Sequence, residues 1–552
     1  MKKLKFIASK RKNQNEGSLS QTHRWVLGVA LATIALTPLM AQDWPSFGHD
    51  ATNNATNKSK ISTSNVHNLK PKWTFTTGSD VSSRAAVVKG VAYFPDWAGN
   101  IYAVNTSNGS LLWSHQLSDY GLTVGTVSRT SPAVAGGVVY IGTQYNPAAP
   151  TGATGWLLAI NASTGALVWK MQPDTSNSIP VITASPVVAN GVVYVGMTSN
   201  EEYVAADPTY PCCSVVGSFV AVKAKTGHKL WQTFTAPAGY SGANIWGSHA
   251  VVDKGRQTIY IATGNNYSIP FDPTYKQCIA NGGTEVSCIS PNDHADSVLA
   301  LDLSSGNIKW ATRLMTWGQL YTQGVNDGSD FWNVGCFLGP GTNCPPPPVG
   351  PDYDFGSSPN EITYQTASGP ATIIGAGQKS GIYYALDPDT GALLWSTQVG
   401  PGSSLGGIEW GSASDGHLIY VAIVDLFGIP YSTGSAGSWA ALDPATGHIV
   451  WQKADPNGAV DLGPLAVANG VVYAPSMGGP TFGGGSPGTA PTMFALDAAT
   501  GNTLWTFVSG SSVIAGATVA ENNIFWGSGY GHLGIPGFTG NNQFYAFSLN
   551  GQ

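Results

Sequence analysis

The 552-residue sequence is poor in charge and lacks two motifs that identify common redox cofactors. It contains no CxxCH, which excludes a covalently attached c-type haem in this chain. It contains no GxGxxG that follows a strand and opens a helix, which argues against a nicotinamide-binding fold. Only 10% of the residues are charged, whereas 42% are apolar. We therefore expect a folded protein with a large buried core.

Long apolar runs are also scarce, and the one that stands out is WVLGVALATIALTPLMA, which ends at Ala41. A segment that contains seven lysines and arginines precedes it. The run is short for a bilayer span, contains Pro38 and ends in small residues, so an export signal is favoured over a retained anchor. Residues 1–41 are therefore predicted to be a signal peptide. No cysteine stands directly after this segment, so nothing supports a lipid anchor there. The mature chain is predicted to be periplasmic or secreted, without a membrane span.

Positive charge is scarce in the rest of the chain. Without residues 1–41 there remain 18 basic and 30 acidic residues, a net charge of -12. Such a surface repels nucleic acid and anionic membranes, although it can attract a basic protein partner.

Cysteines are few, but their number is even and their spacing is short. Cys278 and Cys288 lie ten residues apart, Cys336 and Cys344 lie eight apart, and Cys212 and Cys213 are adjacent. In an exported chain the simplest interpretation is three disulfides, two of which close short loops. Zinc is the alternative, and the spacing does not favour it. A disulfide between adjacent cysteines closes a strained ring, and such a ring more often has a function than none.

What the sequence has in abundance is a repeat typified by ALDPDTGALLW, residues 385–395. Each copy consists of the end of an apolar strand, a polar turn closed by a glycine, and a second short strand that ends in tryptophan. The other six complete copies end at Trp113, Trp169, Trp231, Trp310, Trp451 and Trp505. An eighth copy is split, because AFSLNG at 546–551 supplies its front half and KPKWTF around Trp73 supplies its tryptophan half.

Between successive tryptophans lies one further strand–turn–strand unit, such as PVVANGVVYVG near residue 186. Eight tryptophan turns and eight inner hairpins give eight four-stranded blades. This predicts an all-β, eight-bladed β-propeller over residues 42–552, with the ring closed by pairing the N-terminal and C-terminal strands.

Two blades are predicted to carry insertions, near residues 266–297 and 313–360. These insertions contain four of the six cysteines and many aromatic residues. Long disulfide-closed loops on one face of a rigid ring usually form the entrance to a site. The alternative is that they are surface loops without a function.

The tryptophan turns resemble those of pyrroloquinoline quinone (PQQ) dependent alcohol dehydrogenases. The motifs between the turns are most similar to those of polyvinyl alcohol dehydrogenases. They are WPSFGHDATNN at 44, YPCCSVVGSFVAV at 210, ATGNNYS at 262, GPDYDFGSSP at 350 and AGQKSGIYYALD at 376. The resemblance extends from about Trp44 to the C-terminus.

The resemblance implies a calcium site. Glu201 and Asn265 match the positions of the family's carboxylate and amide ligands, and Asp354 completes the set; oxygen ligands of this kind suit a hard cation. Glu202 remains an alternative to Glu201. Relatives that use lanthanides have a further aspartate at the position of Gly356, so calcium is favoured.

The same resemblance implies the catalytic and cofactor-binding residues. Asp354 matches the base that removes the alcohol proton, and Lys379 matches the residue that donates to the quinone oxygen. The remaining matches are the positions that hold PQQ, namely Arg129, Thr183, Thr198 and Trp246. The adjacent Cys212 and Cys213 are candidates for stacking on the quinone, although methanol and ethanol dehydrogenases carry such a pair at another place in the chain.

The function implied is the oxidation of alcohols, most closely secondary alcohols such as those of polyvinyl alcohol. Since the chain has no haem motif, an external cytochrome c is the expected electron acceptor. Two alternatives stay open: a cofactor-free propeller that acts as an envelope assembly scaffold, and a module that binds a polymer or carbohydrate without redox chemistry.

Overall fold

The computed structural model describes residues 43–552 except 146–154, 177–178, 248, 315–328, 340, 348, 480–487 and 533. The described residues belong to one compact unit, Ala41–Gln552. The predicted signal peptide at residues 1–41 lies outside them and stays a prediction. In the part of the chain that the structure describes, every helix is too short or too polar to cross a bilayer.

This compact unit is an eight-bladed β-propeller, which confirms the predicted fold class. Each blade is a four-stranded antiparallel sheet, whose strands follow one another from the ring axis outward. Blades 1 and 2 contain Ala86–Val88, Val91–Pro95, Asn100–Asn105 and Leu111–Gln116, then Ala133–Ala135, Val138–Gly142, Leu157–Asn161 and Leu167–Met171. Blades 3 and 4 contain Val187–Ala189, Val192–Ser199, Ser218–Lys223 and Lys229–Phe234, then Val251–Asp253, Thr258–Ala262, Ser297–Asp302 and Ile308–Arg313.

The second half of the ring repeats this arrangement. Blades 5 and 6 contain Asn360–Thr366, Gly369–Gly377, Ile382–Leu386 and Leu393–Gln398, then Ala413–Ser414, Ile419–Ile423, Ser438–Leu442 and Ile449–Ala454. Blades 7 and 8 contain Ala466–Ala468, Val471–Pro475, Met493–Asp497 and Thr503–Phe507, then Thr518–Ala520, Asn523–Gly527, Gln543–Leu549 and Leu69–Thr76. Short strands outside this pattern are Thr126–Val127, Gln144–Tyr145 and Pro180–Val181.

The ring closes in blade 8, as predicted. Leu69–Thr76 pairs antiparallel with Gln543–Leu549, so the N-terminal strand covers the edge that the C-terminal strand would otherwise expose. Around the axis, the innermost strands of neighbouring blades contact each other at nearly every junction. The apolar core therefore lies between the blades, where their buried faces pack.

The repeated tryptophans join each blade to the next. Seven of them donate an indole N–H to a backbone carbonyl of the following blade, for example Trp169 to Ala224 at 2.9 Å and Trp505 to Leu69 at 3.0 Å. The eighth, Trp231, packs against Gly306 of the next turn. In seven of the eight contacts the indole ring lies over the turn glycine of the next blade, and Gly447, one of these glycines, has φ +72°. The repeat thus encodes contacts between blades as well as the blades themselves.

Replacing a turn glycine should therefore weaken the contact between two neighbouring blades and destabilise the ring. At Gly447 a β-carbon would need a positive φ and would overlap the Trp395 ring. We expect Gly447→Ala to lower the free energy of unfolding by about 3 kcal/mol, measured by urea denaturation. Gly458→Ala is the matched control, because Gly458 has φ +68° with nothing within 4 Å of the added carbon. It should cost about 1 kcal/mol. Equal losses in the two variants would contradict the packing argument.

The N-terminal segment 44–57 crosses one end of the ring axis and contacts most blades. Trp44 exchanges backbone hydrogen bonds with Val87, and the carbonyls of Ala51 and Ala55 accept from Val252 and Val467. Further contacts reach blade 2, blade 5, blade 6 and blade 8. The segment therefore covers this end of the axis, which leaves the opposite end as the side from which ligands reach it.

The helices within the described residues are few and short. The 3₁₀-helices are Val66–Asn68 and Leu117–Tyr120, and the α-helices are Glu201–Val204, Pro273–Ala280, Glu285–Cys288 and Gly335–Leu338. Three disulfides are present, as predicted: Cys212–Cys213, Cys278–Cys288 and Cys336–Cys344. The second joins two of the helices, and the third closes the loop that follows Gly335–Leu338. Both lie within the predicted insertions.

Candidate functional site

A cavity of about 320 Å³ lies on the ring axis. Its position follows from the propeller geometry, because the chain returns from the outermost strand of one blade to the axis before it enters the innermost strand of the next. In seven of the eight blades, the residue four positions before the innermost strand lines this cavity or a smaller one next to it. These residues are Ser82, Arg129, Thr183, Gly247, Glu409, Leu462 and Ile514.

Asp354 is the most extensively hydrogen-bonded carboxylate in the cavity wall. One oxygen accepts from the indole Nε1 of Trp246 at 2.9 Å and from Nζ of Lys379 at 3.0 Å. The other accepts from the backbone N–H of Asn265 at 2.5 Å. The side chain is 2% exposed. Three donors therefore converge on this carboxylate and fix its orientation in the cavity wall.

The loop that carries Asp354 is itself held from behind by Asp330. The Asp330 carboxylate accepts the backbone N–H groups of Asp352 and Tyr353 at 3.0 and 2.7 Å. Burial raises the pKa of Asp330 to about 7 in spite of these bonds. On the opposite side, Gly264 allows the backbone to approach Asp354, since a β-carbon there would overlap the carboxylate. The segments that contain Asp330 and Gly264 therefore add to the contacts with Trp246 and Lys379 that hold Asp354 in place.

Lys379 lies between two carboxylates. Its Nζ is 3.0 Å from Asp352 and 3.0 Å from Asp354, and it is 5.1 Å from the centre of the Trp246 ring. Burial by itself would lower the pKa of Lys379, but Asp352, Asp354 and other nearby carboxylates outweigh burial and raise the pKa well above its ordinary value. Lys379 is accordingly an ammonium group that donates hydrogen bonds.

Two tryptophans and an arginine form one side of the cavity. Trp246 and Trp410 meet edge to face, with ring centroids 5.2 Å apart. The Arg129 guanidinium lies 5.0 Å from the Trp410 ring centre and 6.0 Å from that of Trp246, and its Nε has no partner. This combination of a flat aromatic surface and an available cation suits a planar ligand that carries a carboxylate.

The two predicted threonines also line the cavity. Thr183 donates its hydroxyl to the backbone carbonyl of Trp246 at 2.6 Å, which helps to fix the indole. Thr198 lies near the end of the strand Val192–Ser199 and shares a hydrogen bond with Tyr267. Tyr267 in turn hydrogen-bonds Glu202. Both hydroxyls therefore stand at the cavity wall, within hydrogen-bonded networks.

The structure distinguishes between Glu201 and Glu202. Both oxygens of Glu201 point away from the cavity and accept the backbone N–H groups of Ser214 and Val215, each at 2.7 Å, and the hydroxyl of Tyr210 at 3.0 Å. Glu202 lines the cavity instead, and burial raises its pKa to about 7. Because the two residues begin the helix Glu201–Val204, adjacent side chains point in different directions. Glu202, the alternative left open by the sequence, is the carboxylate that faces the cavity.

Asn265 lies directly behind Asp354. Its side-chain nitrogen donates to the carbonyls of Trp332 and Asn266 at 2.9 and 3.2 Å, while its side-chain oxygen is buried without a partner. A buried amide oxygen without a donor is unusual and suits a cation ligand.

These oxygens make up the available donor set for a metal. In the described part of the chain, no group of three or more His, Cys, Asp or Glu side chains is arranged to bind a metal ion. A cation would therefore need the carboxylates of Glu202 and Asp354, the amide oxygen of Asn265, and further oxygens from the cofactor. All of these are hard ligands, which fits calcium.

The cysteine pair is not among the described residues that line the cavity. Cys213 is buried and packs against Ala205 and Tyr267. The next two residues, Ser214 and Val215, supply the N–H groups that bind Glu201. In this structure the disulfide supports the loop behind the cavity, and the stacking role implied by the resemblance stays a prediction.

The cavity wall on the side of blades 6 to 8 is apolar. Leu426, Leu462, Ile514, Ile535 and Phe538 line it, facing the charged wall that carries Asp354 and Lys379. The cavity thus has one wall for ionic and polar groups and one for hydrocarbon.

Sequence inspection missed several charged residues at the site. Asp352 binds Lys379 as closely as Asp354 does. Glu409 lines the cavity, has an oxygen without a partner, and burial raises its pKa to about 7. A signal for Glu409 was present, because it lies four positions before an innermost strand, as Arg129 and Thr183 do. No such spacing marks Asp352.

A protein-family model matches most of the propeller. The model PQQ_2, described as "Outer membrane protein assembly factor BamB", matches residues 38–156, 70–312 and 378–535. These ranges cover more than half of the chain. The description is that of an assembly factor, so relatives with known names are needed to distinguish an enzyme from a scaffold.

Two relatives are named polyvinylalcohol dehydrogenase. The protein from Sphingopyxis sp. (strain 113P3) is 29% identical, with 90% of this chain and 74% of the relative aligned. The protein from Pseudomonas sp. is also 29% identical, with 85% and 70% aligned. Among solved structures, quinohemoprotein alcohol dehydrogenase from Comamonas testosteroni superposes with a TM-score of 0.66 at 19% identity, over 92% of this chain and 81% of the other. These similarities confirm the predicted resemblance to quinoprotein alcohol dehydrogenases and support an oxidoreductase.

Proposed function

The chain belongs to the PQQ_2 family, and we propose that it is an alcohol dehydrogenase that uses PQQ and calcium. The observation that carries the proposal is the position of Asp354 in the cavity wall. There its carboxylate accepts from Trp246, Lys379 and the backbone of Asn265. A scaffold or a simple binding module has no need for a buried carboxylate and ammonium beside a flat aromatic surface.

In this proposal the cofactor lies against Trp246. Arg129 binds one of its carboxylates, Thr183 and Thr198 supply hydroxyl contacts, and Lys379 donates to a quinone oxygen. Glu202, Asp354 and Asn265 hold the calcium ion together with oxygens of the cofactor. When bound, the quinone supplies the acceptor for the two electrons and the hydrogen that leave the carbinol carbon.

The residues of the chain handle the proton. Asp354 accepts the proton of the alcohol hydroxyl at its carboxylate, while Lys379 and Trp246 hold that carboxylate in place. Lys379 remains positively charged throughout, because Asp352 is a second carboxylate partner at 3.0 Å. The apolar wall excludes water from the carbinol carbon.

The apolar wall also favours a substrate class. Leu426, Leu462 and Phe538 can accommodate hydrocarbon on either side of a hydroxyl-bearing carbon. We therefore assign secondary alcohols with alkyl flanks as the substrates, and polyvinyl alcohol, which the names of two relatives contain, is the first polymer to try.

Electrons would leave the enzyme through a separate carrier. The sequence has no CxxCH, so an external cytochrome c is the proposed acceptor. Its basic surface would match the acidic surface of the chain without residues 1–41. This arrangement fits a periplasmic or secreted location.

One experiment separates this function from its alternatives. Purified protein is reconstituted with PQQ and calcium, and reduction of an electron-accepting dye is followed with and without a secondary alcohol. We expect reduction that requires PQQ, calcium and alcohol together. A protein that binds polyvinyl alcohol but never reduces the dye would instead be a polymer-binding module, and one that binds neither PQQ nor polymer would be a scaffold.

A further inference from the structure

A second, smaller cavity lies on the axis between the N-terminal segment and the main cavity. Its volume is about 40 Å³, and it is lined by Phe47, Ser83, Arg84, Arg129 and Trp410, among others. We call it the axial chamber. A space of this size holds a few water-sized species and therefore one small ion.

The axial chamber contains a buried positive charge. Arg84 is 2% exposed. Its Nη atoms donate to the backbone carbonyls of Phe47, Pro464 and Leu465 at 2.6, 3.2 and 2.8 Å, and its Nε–H has no acceptor. Among the described residues, no carboxylate lies within 4.0 Å of its guanidinium. A buried charge without a counter-ion is strongly unfavourable.

Other groups around the chamber also fail to supply negative charge or hydrogen-bond acceptors for Arg84. The hydroxyl of Ser83, 3% exposed, lines the chamber and is buried without a partner. Arg129 lines it too, but the carboxylates of Glu409 and Glu202 attract its guanidinium, which also hydrogen-bonds Tyr530. His249 packs near Phe47, and burial lowers its pKa to about 4, so it is neutral. Its Nδ1 bonds the carbonyl of Ser185. The carboxylate of Asp50 favours the charged form of His249, but this carboxylate lies at the surface and not in the chamber. The chamber is therefore net positive, with hydrogen-bond donors that have no acceptor.

We propose that the axial chamber binds a small inorganic anion of the size of chloride, with Arg84 and Ser83 as its ligands. The anion neutralises Arg84, which ties the N-terminal segment to blade 7 through Phe47, Pro464 and Leu465. Its binding should stabilise this end of the ring. The anion site does not depend on the proposed enzymatic function, because Arg84 and Ser83 do not line the main cavity.

Bromide is the probe. Crystals of the full chain are soaked in sodium bromide, and anomalous scattering is measured. We expect a bromide peak within hydrogen-bonding distance of Arg84 and Ser83. In solution, the thermal unfolding midpoint is compared in sodium chloride and sodium gluconate at equal ionic strength, since gluconate is too large for the chamber. We expect the midpoint to rise only in chloride, by about 1 °C for each tenfold increase above the dissociation constant.

Substitutions at one proposed ligand and at a control serine test which residues bind the anion. Ser83→Ala should weaken the apparent chloride affinity about tenfold, as expected when one hydrogen bond to a charged group is lost. The matched control is Ser357→Ala, because Ser357 is also a buried serine whose hydroxyl has no partner, yet it lines neither cavity. It should leave the chloride dependence unchanged. The absence of a bromide peak, or equal midpoints in chloride and gluconate, would overturn the proposal. A peak seen only at soaking concentrations, with no chloride effect in solution, would also overturn it.

Discussion

Replacement of Asp354 by asparagine is expected to lower the rate of alcohol oxidation about 1000-fold while PQQ remains bound. Asparagine has nearly the same size and keeps one oxygen for the indole of Trp246 and for Lys379, which now reach the carboxylate at 2.9 and 3.0 Å. Its amide nitrogen would face the backbone N–H of Asn265, so thermal unfolding of the variant is measured alongside its activity. It cannot take up the alcohol proton. The measurements are dye reduction under saturating alcohol and the absorbance of the quinone retained after gel filtration.

Asp352→Asn is the matched control for this prediction. Asp352 lies two residues away, is equally buried and contacts Lys379 at the same distance of 3.0 Å. If Asp354 acts only by holding Lys379, the two variants should lose similar activity. If it is the base, Asp352→Asn should lose about tenfold or less, because it leaves the base intact. Near wild-type turnover in Asp354→Asn would refute its role.

Replacement of Glu202 by glutamine is expected to weaken calcium binding about 100-fold and to release the cofactor, because an anionic ligand is lost from the cavity wall. Replacement of the adjacent Glu201 should act differently. Its carboxylate accepts N–H groups from Ser214 and Val215, and the amide of a glutamine would oppose one of them. We expect Glu201→Gln to cost about 3 kcal/mol of stability, with calcium affinity changed much less.

This pair of variants serves as its own control, since the substitution is the same and the residues are neighbours. Calcium is measured by titration calorimetry and by metal analysis after gel filtration, and stability by thermal unfolding of the cofactor-free protein. The reverse pattern, in which Glu201→Gln loses calcium while Glu202→Gln keeps it, would restore Glu201 as the ligand. It would also require the loop at residues 210–215 to release the Glu201 carboxylate when the cofactor binds.

Arg129, Thr183, Trp246 and Asp354 were predicted from a resemblance in sequence, and all four line the cavity. Arg129 and Thr183 also precede an innermost strand by four residues, where the chain reaches the axis, so the repeat itself marks their positions. Trp246 and Asp354 belong to short motifs that resemble a known family. Asp352 and Arg84 follow no such rule. Their roles depend on contacts with Lys379 and Phe47, which are distant in sequence.

The choice between Glu201 and Glu202 shows most clearly what the sequence does not predict. Both begin one short helix after the strand Val192–Ser199, and their sequence contexts are nearly identical. Which carboxylate faces the cavity depends on the rotation of that single helical turn, which is fixed by its packing against the loop at 210–215. A resemblance in sequence shows that this pair of residues lies near the site, but it does not show which of the two side chains faces the cavity.

The sequence by itself determined the blades, their number and the closure of the ring. These follow from local turn chemistry and a regular period, which each repeat carries within itself. Only the tertiary structure decided which charged groups meet at the axis, how the N-terminal segment covers one end, and that Arg84 is buried there with no carboxylate among the described residues beside it. Those outcomes depend on long-range contacts among eight blades, because burial and charge balance are properties of the assembled ring and not of any one segment.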